Sequence, residues 1–275
     1  MYLVTGASGN IGRELTQILA DAGQPVRALR HTAAEGPPGI EVVVGDLNDP
    51  GTLDGPLDGV TGVFLMPGYT DMPGVLAACA RRGVERVVLL SSGAAASRDL
   101  TNAITAYMVA SEDAVTSSGL PWAILRPTAF MSNALRWKPQ LDRGDVVKLP
   151  FADVRTACVD PRDIAAVAAV ALTADGHAGQ VHVPTGPQSL LPAEQVAVLA
   201  DALGRPLTAV PQPDDEARAE MLATTPREYV DAFFAFYVGG ALDESHVLPT
   251  VREVTGREPG TFAAWAKRHA PDFAT

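Results

Sequence analysis

Short runs of aliphatic and β-branched residues alternate along the first half of the chain with longer stretches whose apolar residues recur at helical spacing. The short runs are Tyr2–Thr5, Pro25–Leu29, Glu41–Val44, Gly62–Leu65, Arg86–Leu90 and Trp122–Leu125. The longer stretches include Ile11–Ala22, Pro73–Arg82 and Ala103–Ser117. They close near glycines or polar turns, as in Asp21-Ala22-Gly23 and Thr116-Ser117-Ser118-Gly119. This alternation predicts an α/β fold, a doubly wound parallel sheet of Rossmann type with helices on both faces.

After Arg126-Pro127 the pattern changes. Residues 131–155 are mixed and carry Trp137, Pro139 and Pro150, which reads as an insertion. Ile164–Leu172 is a strongly apolar helix, with Asp160 as its N-cap and Pro161 at its first position. Gln180–Val183 returns as a strand. From residue 188 helical segments dominate, the aromatic-rich Glu228–Val238 among them. The expected organisation is a dinucleotide domain over residues 1–130, with 156–187 returning to it. Residues 131–155 and 188–275 would form a smaller, mostly helical substrate-binding cap.

The first strand-to-helix junction reads Val4-Thr5-Gly6-Ala7-Ser8-Gly9-Asn10-Ile11-Gly12-Arg13. Glycines in such a junction allow a tight turn, close approach of a pyrophosphate and close helix–strand packing. The helix start offers unpaired N–H groups and a positive dipole end. Thr5, Gly6, Ser8, Gly9, Asn10, Ile11 and Gly12 are therefore the expected cofactor-binding residues. The spacing is GxxGxxG, not the GxGxxG of ordinary dehydrogenases. The next strand ends Arg27-Ala28-Leu29-Arg30-His31-Thr32, with no carboxylate until Glu35. A cation there accommodates a 2′-phosphate, so Arg30 or His31, helped by Arg13, points to NADP(H); the alternative is solvated surface charge. Asp46, followed by Leu47, either meets the adenine or caps the next turn. Met66 and Pro67, after the fourth strand, would run close to the cofactor.

Composition narrows the partners. The chain is 47% hydrophobic and 19% charged, with a net charge of −11. That charge argues against nucleic acid, which needs a basic surface. It leaves an anionic cofactor open, because backbone N–H groups and local cations hold such ligands. No apolar run reaches the roughly 18 residues of a membrane span, and no secretory signal is read at the start, so a cytoplasmic protein is expected. Cys79 and Cys158 read as buried free thiols. The five histidines show no metal-ligand spacing, and neither a GxSxG nucleophile elbow nor a GxxxxGK[ST] phosphate loop occurs.

The glycine junction, Val44-Gly45-Asp46-Leu47 and Val88-Leu89-Leu90-Ser91-Ser92 bring a family into view. So do Ser118-Gly119-Leu120-Pro121-Trp122-Ala123-Ile124-Leu125-Arg126-Pro127, Val159-Asp160-Pro161-Arg162-Asp163-Ile164-Ala165 and the tail Thr255-Gly256-Arg257-Glu258-Pro259-Gly260-Thr261-Phe262. On these residues the chain resembles the NmrA-like atypical short-chain dehydrogenase/reductases nearly end to end. The resemblance implies a nucleotide domain with a small C-terminal substrate region. Members of the family include NADPH-dependent reductases of quinones and other carbonyl compounds, and redox-sensing regulators that bind the cofactor without turning it over.

Tyrosine-dependent relatives carry a lysine four residues after the tyrosine, where the two side chains share a helix face. Here Tyr107 is followed by Ser111, and Lys138, Lys148 and Lys267 are the only lysines. Without a cation a phenol keeps a pKa near about 10. It can still donate a proton or a hydrogen bond. Ser91 and Ser92 end the fifth strand, at the edge where α/β sheets bind ligands; they either orient a carbonyl or satisfy backbone. Tyr107, Ser91 and Ser92 are the candidate catalytic residues, and Ser91 is also a cofactor candidate. Glu112 reads as a surface residue or a contact to the ribose or a backbone amide.

The substrate pocket is expected between that strand edge and the cap, lined by Tyr69, Thr128, Phe130, Met131 and Trp137. Phe233, Phe234 and Tyr237 lie at helical spacing and read more readily as core. Three functions follow. The first is an NADPH-dependent reductase of a small aromatic or quinone-like substrate that works mainly by positioning. The second is a non-catalytic NADP(H) sensor that binds a protein partner. The third is an isomerase that uses the cofactor transiently.

Overall fold

Seven parallel strands run side by side through the computed structural model, which describes residues 1–32 and 36–273. In chain order the elements are β1 (Tyr2–Val4), α1 (Asn10–Asp21), β2 (Val26–Arg30), β3 (Ile40–Val44), β4 (Gly62–Leu65), α2 (Met72–Arg81), β5 (Arg86–Leu90), α3 (Ala103–Thr116) and β6 (Trp122–Leu125). Then come α4 (Lys138–Leu141), β7 (Val146–Leu149), α5 (Pro161–Thr173), β8 (Gln180–His182), α6 (Pro192–Leu203) and β9 (Thr208–Pro211). The chain closes with α7 (Asp214–Leu222), α8 (Arg227–Tyr237), α9 (Thr250–Thr255) and α10 (Phe262–His269). The sheet order is β3-β2-β1-β4-β5-β6-β8. Strand order therefore reverses between β1 and β4, the point at which doubly wound sheets bind ligands at the strands' C-terminal ends.

Alternate residues of each strand feed two cores. Val4, Ala28, Phe64, Val88 and Leu125 face α1 and α5, whereas Leu3, Leu29, Val63, Leu65, Leu89 and Ile124 face α2 and α3. Strands buried on both faces need near-continuous apolar sequence, which is why these short runs were readable. Ile11, Leu15 and Leu19 put an apolar stripe on α1. It packs on α5, where Ala165, Ala168, Ala169 and Ala171 let the helices approach closely. Asp160 caps α5 as expected, its carboxylate accepting the Arg162 N–H at 3.0 Å. Pro25 has no N–H for the ladder, so β2 starts at Val26 and runs on to Arg30.

The region beyond residue 131 is mostly helical, as expected, and adds a strand pair that the sequence does not announce: β7 and β9 form a separate two-stranded parallel sheet, with Val147 opposite Ala209 and Leu149 opposite Pro211. Only two of the four β7 residues are buried, an alternation too short to stand out. One expectation needs correction, because not all of 188–275 packs with the cap. Val251 on α9 is buried with α1 and α5. The Gly260 N–H bonds the Asp163 carboxylate at 2.7 Å, and Arg268 pairs with Asp160. The remaining cap core gathers Phe262 and Trp265 of α10 with Leu149, Leu199 and Met131. Cys79 and Cys158 are free and buried. Among the described residues no helix is long and apolar enough to cross a membrane.

Candidate active site

The glycine turn after β1 is held by its own backbone. Gly6 takes a φ of +60°, and its carbonyl accepts the Gly9 N–H at 2.9 Å. A Cβ on Gly12 would sit 2.2 Å from that same carbonyl oxygen, so no other residue lets α1 start this close to the turn. Gly9 precedes the helix with no side-chain cap, and the first turn of α1 carries no carboxylate. Those N–H groups are left to an anion. Asn10 ties the turn to the cap side, its Nδ2 donating to Ser132 Oγ at 3.1 Å. Thr5 is buried, with its hydroxyl accepting the Met66 N–H at 3.0 Å, and Ser8 is exposed. Ile11 and Leu47 bury their side chains in the two sheet cores, which leaves only backbone for any contact with a cofactor.

Arg30 ends β2 half-buried, and its Nε is enclosed with no partner among the described residues. His31 beside it is exposed, with Nδ1 3.9 Å from Asp46. Asp46 caps a turn, accepting the Asn48 N–H at 2.8 Å, the second of the roles its position allows. Glu35 lies outside the described residues. A bare glycine cradle and an orphaned guanidinium nitrogen at the next strand end fit the pyrophosphate and 2′-phosphate of NADP(H). Tyr69 belongs to this end, against expectation: it packs on the Leu47 side of the sheet and lines neither of the chambers described below. Burial, with the Asp46 charge, raises its phenol above the usual range.

At the ends of β5 and β6 the polar residues bind one another. Glu112 on α3 is 3% exposed, which corrects its surface reading. Its carboxylate takes a fork from Arg126, Nε at 2.9 Å and Nη2 at 2.6 Å, and the Ser91 hydroxyl at 2.5 Å. The Ser91 proton is thereby committed to a brace across β5, α3 and β6, leaving none for a substrate carbonyl. Ser92 accepts the Ala94 N–H at 3.2 Å and keeps its own proton for the cleft it lines. Ser111, at the lysine position, accepts the Gly68 N–H at 3.0 Å and donates to the Tyr107 carbonyl at 2.8 Å. It therefore anchors the Met66-Pro67-Gly68 loop. Gly68 takes a φ of +89°, and a Cβ there would touch the Tyr107 ring at 3.4 Å. Burial, with Tyr229 edge-on at 6.5 Å, holds the Tyr107 phenol above the usual range.

These groups wall an inner chamber of about 390 Å³, between Met66, Pro67, Ser91, Ser92 and Tyr107 on the sheet side and Phe233, Phe236, Tyr237 and Glu244 on the cap side. Met66 joins it to the glycine turn, since a Gly6 Cβ would lie 3.0 Å from Met66 Cγ. Phe130, Asn133, Phe233 and Tyr237 also wall an outer chamber of about 460 Å³, which adds Trp137, Arg136 and Phe151. Phe130 and Trp137 thus face these chambers. Thr128 lines the inner one, but its hydroxyl is spent on the Ala157 carbonyl at 2.7 Å. Met131 does not line either; it is buried in the cap core against Gly186. Of the α8 aromatics, Phe234 is core, with the Arg218 guanidinium 4.0 Å above its ring. Phe233 and Tyr237 form the shared wall instead.

Glu244 escaped the sequence reading because it sits in an irregular stretch with no motif around it. It is 6% exposed, and its carboxylate accepts the Tyr237 hydroxyl at 3.1 Å. Burial pushes its carboxyl up to about 7 and the Tyr237 phenol far above its usual value.

The family model described as NAD(P)H-binding matches residues 6–175. The chain is 42% identical to the (4-alkanoyl-5-oxo-2,5-dihydrofuran-3-yl)methyl phosphate reductase of Streptomyces griseus, over all of this chain and 99% of that one. It is 35% identical to the NAD(P)H azoreductase of Xenophilus azovorans, over 99% of both. Among solved structures, triphenylmethane reductase of Citrobacter sp. complexed with NADP(H) superposes with a TM-score of 0.81 at 18% identity, covering 98% of this chain and all of that one. The NADPH-dependent quinone oxidoreductase of Escherichia coli complexed with NADPH gives 0.79 at 21% identity, over 98% and 99%. At such identities the structural likeness speaks for the fold.

Proposed function

This chain belongs to the NAD(P)H-binding family, among the NmrA-like atypical short-chain dehydrogenase/reductases. On that premise we propose that it is an NADPH-dependent reductase of conjugated acceptors, a quinone or an aromatic or polyketide-like carbonyl held in the inner chamber. The observation that carries this reading is the aromatic-walled chamber that shares Met66 with the glycine turn. Aromatic walls suit a flat apolar acceptor. Two relatives matched over their whole length are reductases of conjugated groups, by name an azo compound and an alkanoyl-furanone phosphate.

When bound, the cofactor supplies hydride. The first-turn N–H groups of α1, Asn10 to Gly12, would receive its phosphates over the glycine turn, and Arg30, with His31 beside it, would take the 2′-phosphate. Ser111 holds the Met66-Pro67-Gly68 loop in place, and the Glu112–Arg126–Ser91 brace fixes the strand ends beneath it. Phe130, Phe233 and Tyr237 would confine the acceptor. Holding reactants in near-attack geometry supplies much of a barrier reduction, and conjugation stabilises the product anion. Arg136 on the outer wall forms no ion pair among the described residues, which suits an acceptor with an acidic tail.

Sensing without turnover remains the competing reading, and the replacement of lysine by Ser111 is what favours it. Oxidation of NADPH by the purified protein decides, tested against quinones, polycyclic aromatic ketones, azo dyes and an alkanoyl-furanone phosphate. Turnover with a conjugated acceptor, and none with a saturated ketone, is expected. NADPH binding with no oxidation of any acceptor would establish the sensor.

A further inference from the structure

Reduction by hydride leaves an anion that needs a proton, and the residues that sequence singles out supply one poorly. The Ser91 hydroxyl is committed to Glu112 and Ser111 to the Tyr107 carbonyl, and Tyr107 has no cation beside it among the described residues. Ser92 keeps its proton, but an alcohol is far too weak an acid to match the operating pH. One carboxyl opens onto the same chamber from the opposite wall. We propose that Glu244 is the proton donor of this active site, giving its carboxyl hydrogen to the acceptor while hydride arrives from NADPH. The inference rests on the reductase reading.

The geometry favours the protonated carboxyl. Glu244 is buried on the chamber wall, and no Lys, Arg or His pairs with it among the described residues. Facing it are the Tyr237 hydroxyl from α8, a backbone N–H at Ala129, the Asp243 carboxylate beside it in the chain and the Cys158 thiol. The Cys158 thiol is itself pushed up to about 11, so it carries no charge at neutral pH. Arg136 reaches this group only by a weak field on Tyr237. Burial and Asp243 raise the Glu244 carboxyl, the Tyr237 bond partly offsets them, and the result is about 7. A general acid works best with a pKa near the operating pH.

The step balances. Two electrons and one hydrogen pass from NADPH to the acceptor as hydride, giving NADP⁺. The Glu244 O–H bond breaks as a new O–H or N–H bond forms on the acceptor. The carboxylate that remains is held by the Tyr237 hydroxyl and the Ala129 N–H, and it regains a proton from water once the product leaves.

The test combines two readouts on the full chain. In the cofactor-free protein, difference infrared spectra should show a protonated carboxyl band that titrates out with a midpoint of about 7 and is missing from Glu244→Gln. In turnover, Glu244→Gln should lose about 100-fold or more in kcat while KM and NADPH affinity stay close to the parent's, because a carboxamide cannot give up a proton. The parent kcat should fall as pH rises through that midpoint, and this limb should vanish in the variant. Tyr237→Phe removes a bond that favours the carboxylate, so it should move both midpoints to higher pH; it also serves if Glu244→Gln does not fold. A Glu244→Gln enzyme with parental kcat, or a carboxyl band that titrates in the ordinary carboxylate range, overturns the assignment and leaves the reductase standing. A parent protein that reduces no acceptor overturns the reductase reading and the donor role with it.

Discussion

A lysine at position 111 would put an ammonium one helical turn beyond Tyr107; the serine found there spends both its hydrogen bonds on backbone. That single exchange turns a tuning residue into a fastener for the Met66-Pro67-Gly68 loop. Tyr107→Phe is accordingly expected to leave kcat within a few-fold of the parent, a change far below the factor of about 100 or more that general-acid catalysis provides. Arg30 is the residue we propose to carry the cofactor preference. Arg30→Ala should weaken NADPH by about tenfold or more, the loss of one charge-assisted contact, and barely alter NADH. Fluorescence titration of both cofactors checks this, and equal loss of both would discard the 2′-phosphate role. Ser92, Phe130 and Trp137 can be placed from sequence because they follow strand ends or an aromatic cue. Glu244 cannot: nothing in a lone glutamate in a coil says that the chain will bury it. Met131 misleads because it follows the chamber-lining Phe130 yet turns into the cap core, and Tyr69 because the loop after Pro67 carries it onto the Leu47 side of the sheet.

At the scale of elements, the turn from β1 into α1 is the most legible part of the molecule. Gly12 is dictated by backbone contact and Gly6 by its positive φ. Gly12→Ala would press a Cβ against the Gly6 carbonyl, and backbone cannot swing aside. Chemical denaturation should show a loss of about 1–3 kcal/mol, the cost of overpacking, together with weakened NADPH binding. Unchanged stability and affinity would mean that the turn relaxes freely. The β strands of the main sheet announce themselves because both faces are buried. The β7–β9 pair does not, with one face in solvent and four residues to each strand. The return of α9 onto α5 is equally silent, because a six-residue helix with one buried valine carries no periodicity to read.

For the whole molecule, a net charge of −11 is no obstacle to an anionic cofactor, because the binding edge presents a helix N-terminus and Arg30 without a carboxylate in the first turn. The sheet supplies the nucleotide edge, and the segment from α8 through Glu244 closes the chamber over it. Fold and cofactor follow from the first of these layers and were readable from patterning. Substrate and proton donor depend on how the second layer lies on the first, which is set by tertiary contact. The most direct measurement is a single turnover with NADPH deuterated at the nicotinamide C4, run for each face with the acceptor that reacts best, followed by mass analysis of the product. The account predicts that the deuterium from one face appears on the acceptor. Tight binding of the cofactor, with no label on any acceptor from either face, would contradict it and leave a protein that reads NADP(H) without spending it.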